Sequence, residues 1–184
     1  MDRTSCTIRQ TVLTDAAALV RFRAQIVRQT EFMLKGAEDP QGSLLEQAQW
    51  VERFAAHPTS MQCCAVTAHG VIVGLGSITG GEFLRNRHVG TLSVGVLQSH
   101  WRRGLGQALV QTCVDWARVN RLMIKLNLQV HASNGSARQL YAKLGFEVEG
   151  ILRREAKLGN NYDDLIAMGL WLRRRDECAG SAPG

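Results

Sequence analysis

Apolar and polar residues alternate most strictly between Ile124 and Val130, where Lys125, Asn127 and Gln129 separate Leu126 and Leu128 from their neighbours. A period of two predicts a strand with one buried face. Similar patterns predict strands at Thr7 to Leu13, Met61 to Ala68, Val71 to Thr79, Leu92 to Val96, Phe146 to Leu152 and Asp164 to Trp171, with His69-Gly70 as a hairpin turn. Elsewhere the spacing is helical. Thr14-Asp15 offers caps for a helix through Leu19, Phe22 and Ile26. A second helix, from about Leu44 to Ala56, lines up Leu45, Ala48, Val51 and Phe54 and ends at His57-Pro58. Leu105, Leu109, Cys113 and Trp116 mark a third. Ala137, Leu140, Tyr141 and Leu144 mark a fourth, with Asn134 as its cap and Gly145 as its left-handed C-terminal residue. No internal repeat is visible, and Lys35 to Ser43 reads as a polar loop.

The 184 residues, 45% of them hydrophobic, are enough for one domain with a sizeable core. We expect a single unit over residues 1–184, with its core at about 7–172 and a tail at 173–184. No apolar run approaches the roughly 18 residues of a membrane span, and the start Met1-Asp2-Arg3-Thr4-Ser5 has no apolar segment of a leader; a soluble, unexported protein is expected. Cys6, Cys63, Cys64, Cys113 and Cys178 form an odd set without metal-like spacing, which argues against a disulfide framework and a zinc site and for a reducing cytoplasm. The net charge of +6 suits an anionic partner without naming one.

The strand at Leu92 to Val96 runs into Arg102-Arg103-Gly104-Leu105-Gly106-Gln107, which opens the third helix. A glycine-rich turn at a helix start gathers backbone N–H groups at the positive end of the helix dipole, a setting for phosphate. The two arginines add cationic side chains. A dinucleotide fingerprint would need glycine where Leu109 stands, and the Gly-Lys-Ser/Thr of a triphosphate loop is absent.

Trp101-Arg102-Arg103-Gly104-Leu105-Gly106 resembles the Gln/Arg-x-x-Gly-x-Gly/Ala loop of the GNAT acetyltransferases, departing from it at Trp101. Asn134, Ala137 and Leu140-Tyr141-Ala142-Lys143-Leu144-Gly145-Phe146 are similar to the family's second block. The closing stretch, Glu149-Gly150 and Gly159 to Met168, resembles its last strands. The resemblance covers roughly residues 7 to 172 and is closest in flavour to the ribosomal-protein and amino-acid acetyltransferase branches. It implies an α/β (α+β) fold with a mixed, mostly antiparallel sheet of roughly six to seven strands and about four helices.

The resemblance also implies acetyl-CoA as co-substrate and an amine-bearing acceptor, a small molecule or a protein N-terminus, attacked directly in a ternary complex. Backbone at Val94, Gly95 and Val96 would bind the pantetheine arm and polarise the acetyl carbonyl, and Arg102 to Gln107 the pyrophosphate. Asn134 would bond the arm as well as cap its helix. Tyr141, a core aromatic on helical spacing alone, would protonate the leaving thiolate. Thr91 stands where similar sequences often carry an acidic residue, which leaves Glu31, Glu82, His88 or a water relay as the base. Glu31, Phe32, Met33 and Tyr162 are the candidates to line the acceptor pocket. His100 and His131 have no partner at metal-ligand spacing, so no metal is expected. Arg153-Arg154 and Arg173-Arg174-Arg175 lack interleaved aromatics and read as a solvated strand end and tail, so neither nucleic acid nor membrane is an expected partner. Dimers are frequent among similar proteins, and a homodimer is carried as an expectation. The competing reading is a non-catalytic acyl-CoA-binding module that keeps the fold without turnover.

Overall fold

The computed structural model describes residues 6–40 and 42–173. Met1 to Ser5, Arg174, Arg175, Cys178 and the Ala179 to Gly184 tail lie outside the described residues. The chain runs β1 (Cys6–Gln10), α1 (Ala16–Ile26), α2 (Leu44–Ala56), β2 (Met61–Thr67), β3 (Ile72–Gly80), β4 (Val89–Val96), α3 (Leu105–Val119), β5 (Lys125–His131), α4 (Gly135–Lys143), β6 (Glu147–Leu158) and β7 (Asn161–Trp171). The strands form one sheet of seven in the order β1-β2-β3-β4-β5-β7-β6. Every neighbouring pair is antiparallel except β4 and β5. This is the mixed, mostly antiparallel α/β layout that the family resemblance implies.

Helices cover both faces. Leu109, Val110, Cys113, Val114 and Ala117 of α3 are buried on one side of the sheet, and Leu19, Phe22 and Ile26 of α1 on the other. Alternation along the strands decides which neighbour each residue meets. A Cβ on Gly74 would lie against Leu109 of α3, whereas one on Gly95 would lie against Ile26 of α1.

Helix α2 keeps its predicted bounds, while two boundaries and one buried stripe differ from the sequence reading. The first strand stops at Gln10 because Asp15 draws the chain into a turn: its carboxylate accepts from the Val12 N–H at 2.8 Å and from both Arg9 guanidinium nitrogens at 2.7 and 2.8 Å. Asp15 therefore clamps β1 instead of capping α1. On α2 the buried stripe is Gln47, Val51 and Phe54, while Leu45 is exposed and Ala48 half-buried. A reciprocal Ser43 and Glu46 capping box fixes where that helix starts. Strands β6 and β7 extend beyond their predicted ends, past an irregularity between Leu152 and Ala156. There Arg154 takes a positive φ of 54° and donates its N–H to Asp164 Oδ1 at 2.8 Å, a bond that replaces the ladder.

Candidate active site

The site begins where β4 and β5 part. Their ladder joins only Val89–Thr91 to Lys125–Asn127. Beyond it β4 continues to Val96 paired with β3 alone, and β5 continues to His131 paired with β7 alone. The edge of β4 from Leu92 to Val96 that faces β5 thus presents backbone N–H and C=O groups to the opening and not to a strand.

At the end of β4 the chain turns through Trp101 to Gly104 into α3. Arg102 and Gly104 both have positive φ, 57° and 78°, with Arg103 between them. An arginine in that region is uncommon, and such conformations persist where surroundings hold them. Trp101 supplies one such hold, since its Nε1 donates to the Val96 carbonyl at 2.6 Å and ties the loop to the strand. The tryptophan that departs from the family pattern therefore has a structural role of its own. The first helical bond of α3 runs from the Ala108 N–H to Gly104 O at 3.0 Å, so the N–H groups of Leu105, Gly106 and Gln107 have no helical acceptor. No acidic residue sits in the first turn to offset the dipole, and Arg102 and Arg103 are exposed beside it. Donors without acceptors, a positive helix end and two free guanidinium groups fit a pyrophosphate. Gly104 is required by its φ, because a Cβ there would meet nothing within 4 Å. At Gly106 a Cβ would lie 3.7 Å from Leu140 Cδ2, an ordinary contact, which is why alanine serves as well in that place.

Helix α4 flanks the same opening on the α3 side. Asn134 accepts from the Ala137 N–H at 3.1 Å through Oδ1 and so caps the helix. Tyr141 is half-buried and packs edge-on to Phe146, with ring centroids 5.8 Å apart. Desolvation, with a smaller contribution from the Cys113 thiol, pushes its phenol up to about 12. A phenol held there stays protonated across neutral pH and remains a hydrogen-bond donor.

The α1 side of the opening is built differently. Thr91, Ser93 and Gly95 alternate onto this side, and Thr91 and Ser93 are exposed. Close to Gly95 lie Ile26 and Met33, so the segment after α1 borders the strand. Its Phe32 is 37% exposed and tilts over His131 at the end of β5, with ring centroids 5.6 Å apart. Beneath Phe32, His131 is buried and its Nδ1 stands 3.1 Å from Asp163 Oδ2 of β7. The same oxygen accepts from the Ser133 hydroxyl at 2.6 Å, and Oδ1 accepts from the Asp164 N–H at 3.0 Å. These bonds hold the Asp163 carboxylate below its ordinary value, the Ser133 hydroxyl contributing most.

Of the residues singled out in the sequence, Val94 to Val96, Arg102 to Gln107, Asn134 and Tyr141 are gathered around the opening on the α3 side. Phe32 and Met33 border it on the α1 side, and Glu31 is exposed next to them. Tyr162 stands apart: it is 65% exposed, and alternation along β7 directs it to the face opposite Asp163. Glu82 pairs with Arg53, and His88 precedes β4, so both belong to the far end of that strand from Val96. The His131, Ser133 and Asp163 cluster was not visible in the sequence, because the histidine and aspartate are 32 positions apart. Among the described residues, no group of three or more His, Cys, Asp or Glu could hold a metal ion, and no helix is long and apolar enough to cross a membrane.

The profile of the Acetyltransferase (GNAT) family matches residues 25–146. The L-amino acid N-acetyltransferase AaaT of Escherichia coli (strain K12) is 33% identical over 124 residues, 65% of this chain and 73% of that protein. An acetyltransferase of the GNAT family from Streptococcus pneumoniae superposes with a TM-score of 0.87 at 28% identity, covering 91% of this chain and 99% of the other. Another structure, yncA from Salmonella typhimurium with its cofactor acetyl-CoA, shares the fold with a TM-score of 0.81 at 23% identity, covering 98% of each chain.

Proposed function

The chain belongs to the acetyltransferase (GNAT) family and is an acetyl-CoA-dependent N-acetyltransferase, and from that premise we propose that it acetylates the primary α-amine of a free amino acid. The observation that carries this reading is the two-sided opening between β4 and β5. One side offers main-chain donors and an unneutralised helix start to a phosphate-bearing donor. The other is bordered by side chains, with Phe32 lying over the buried His131 at the end of β5. The similarity to an L-amino acid N-acetyltransferase supports the choice of acceptor.

In this reading the amides at Leu105 to Gln107 and the guanidinium groups of Arg102 and Arg103 bind the pyrophosphate. The β4 edge at Val94 to Val96 aligns the pantetheine arm and polarises the acetyl carbonyl, with Asn134 bonding the arm from α4. Tyr141 donates to the sulfur as it leaves. Because its phenol is pushed up to about 12, it gives up its proton only where burial raises the thiol as well; until then it stabilises the thiolate by hydrogen bonding. Glu31, Phe32 and Met33 border the acceptor. Tyr162 lies on the other face of β7 and is left out of this pocket. Free thiols at Cys63, Cys64 and Cys113 accord with a cytoplasmic setting, and a homodimer is the assembly we propose. Thiol release from acetyl-CoA across a panel of amino acids, N-terminal peptides and polyamines tests the reading. Turnover led by amino acids is the expected result. Acetyl-CoA binding without turnover on any amine would return the chain to the non-catalytic class, and turnover confined to peptides would refute the small acceptor.

A further inference from the structure

The position where similar sequences place an acidic base is Thr91, which is exposed on the acceptor side and has no titratable group. Among the described residues, Arg23 Nε of α1 and His131 Nε2 at the end of β5 are buried titratable groups without a partner, and of the two only the imidazole can accept a proton. His131 is 4% exposed, its Nδ1 faces the Asp163 carboxylate at 3.1 Å, and its Nε2 is buried without a hydrogen-bond partner. A carboxylate at Nδ1 selects the tautomer that carries the proton there, so Nε2 has a lone pair and no donor. A histidine that only tied β5 to β7 would be expected to satisfy both nitrogens, since an unpartnered buried polar atom is costly.

We propose that His131 is the general base of the acetyl transfer, held by Asp163 and Ser133 and covered by Phe32 until the acceptor enters. The proposal rests on the transferase reading above. Four residues beyond the last β4–β5 pair, His131 reaches about as far along its strand as Gly95 does along β4, roughly 13 Å from the fork. The Phe32–Met33 segment bridges the two, Met33 lying near Gly95 and Phe32 on the imidazole. In the reaction, the acceptor ammonium gives one proton to Nε2. The freed nitrogen pair bonds to the acetyl carbon, the carbon–sulfur bond breaks, and the thiolate takes up the second amine proton by way of Tyr141. His131 then returns its proton to solvent. The charged group against the imidazole is Asp163 of β7; Arg138 of α4 donates to the carbonyl of the next residue, Ala132, at 3.1 Å, Glu31 precedes the covering Phe32 in the chain, and Arg23 lies on α1, which packs on this side of the sheet.

The test compares the full chain with His131→Gln, His131→Ala and Asp163→Asn. Steady-state thiol release is measured against pH, acetyl-CoA affinity by calorimetry, and folding by circular dichroism. His131→Gln is expected to lower kcat by about 100-fold or more while leaving acetyl-CoA affinity within about threefold, and to abolish the acid limb of the kcat profile. Added imidazole is expected to restore part of the activity of His131→Ala. Asp163→Asn, whose amide favours the wrong tautomer, should lower kcat by about 10-fold or more. A folded His131→Gln with the wild-type kcat and pH limb overturns the proposal, and so does a loss of activity that imidazole leaves untouched with the limb intact. A wild-type chain that binds acetyl-CoA and acetylates nothing overturns the transferase reading instead, and this proposal with it.

Discussion

The two sides of the opening are made of different material. On the α3 side most of the groups that matter are main-chain amides, in one strand, one turn and one helix start that follow each other in the chain, joined by the side chains of Arg102, Arg103, Asn134 and Tyr141. On the α1 side they are side chains from a loop, from β5 and from β7, brought together only by the tertiary fold. Main-chain sites depend on backbone angles, so Gly104 and the left-handed Arg102 decide them. Side-chain sites depend on who is buried beside whom. The first kind tolerates many side chains, and the second changes with one, which is how a family can keep a donor and vary its acceptor.

The largest effect that would break this comparison comes from the one side chain assigned to chemistry on the donor side. Tyr141→Phe should lower kcat by about 100-fold with acetyl-CoA affinity unchanged; a kcat within a few-fold of wild type would reduce Tyr141 to packing against Phe146. Next comes the turn itself. A β-branched residue at a φ of 78° is strained by about 1–2 kcal/mol, so Gly104→Val should weaken acetyl-CoA binding by about 10-fold, read by calorimetry. Gly106→Ala, with room for its methyl, should bind within about twofold. Equal losses at the two glycines would mean that space, not backbone angle, governs the cradle.

On the acceptor side, Phe32→Ala should raise the acceptor KM by about fivefold and leave the acetyl-CoA KM alone, because the ring stands on the α1 side over His131 and away from the start of α3. Matching shifts in both constants would merge the two regions. The smallest effect lies outside both. The folded pKa of Asp15 is lowered, first by its bond to Arg9, so its contribution is full at neutral pH and fades as pH falls from the unfolded value of 3.8 through the lower folded one. Asp15→Asn should therefore cost about 1 kcal/mol in denaturant unfolding at neutral pH, a modest value because the Arg9 end is 42% exposed and screened. The difference between the two proteins should shrink in acid, and kcat should not move.

The same contrast explains what the sequence could disclose. The strand, loop and helix of the donor side are local, and alternation, the two glycines and the helix start at Leu105 were each readable by themselves. Element types were readable for the same reason, down to the hairpin at His69-Gly70. The stop of β1 was not, since it depends on Asp15 reaching back to Arg9 and Val12. Nor was the true stripe of α2, where Gln47 displaces Leu45 from the buried face because the sheet, not hydropathy alone, sets the rotation. The His131–Asp163 contact crosses 32 positions and joins two strands whose pairing no local pattern announces. Phe32 sits in a segment with no period at all.

The central claim is that the main chain at the end of β4 and the start of α3 holds the donor. Titrating acetyl-CoA into isotopically labelled protein and following backbone amide resonances tests it most directly. The predicted result is saturable shifts concentrated at Ser93 to Val96 and at Leu105 to Gln107, with smaller ones at Phe32 and Asp163. Shifts centred away from the opening, on the β6–β7 turn at Lys157 to Tyr162 for example, with those amides unmoved, would contradict it.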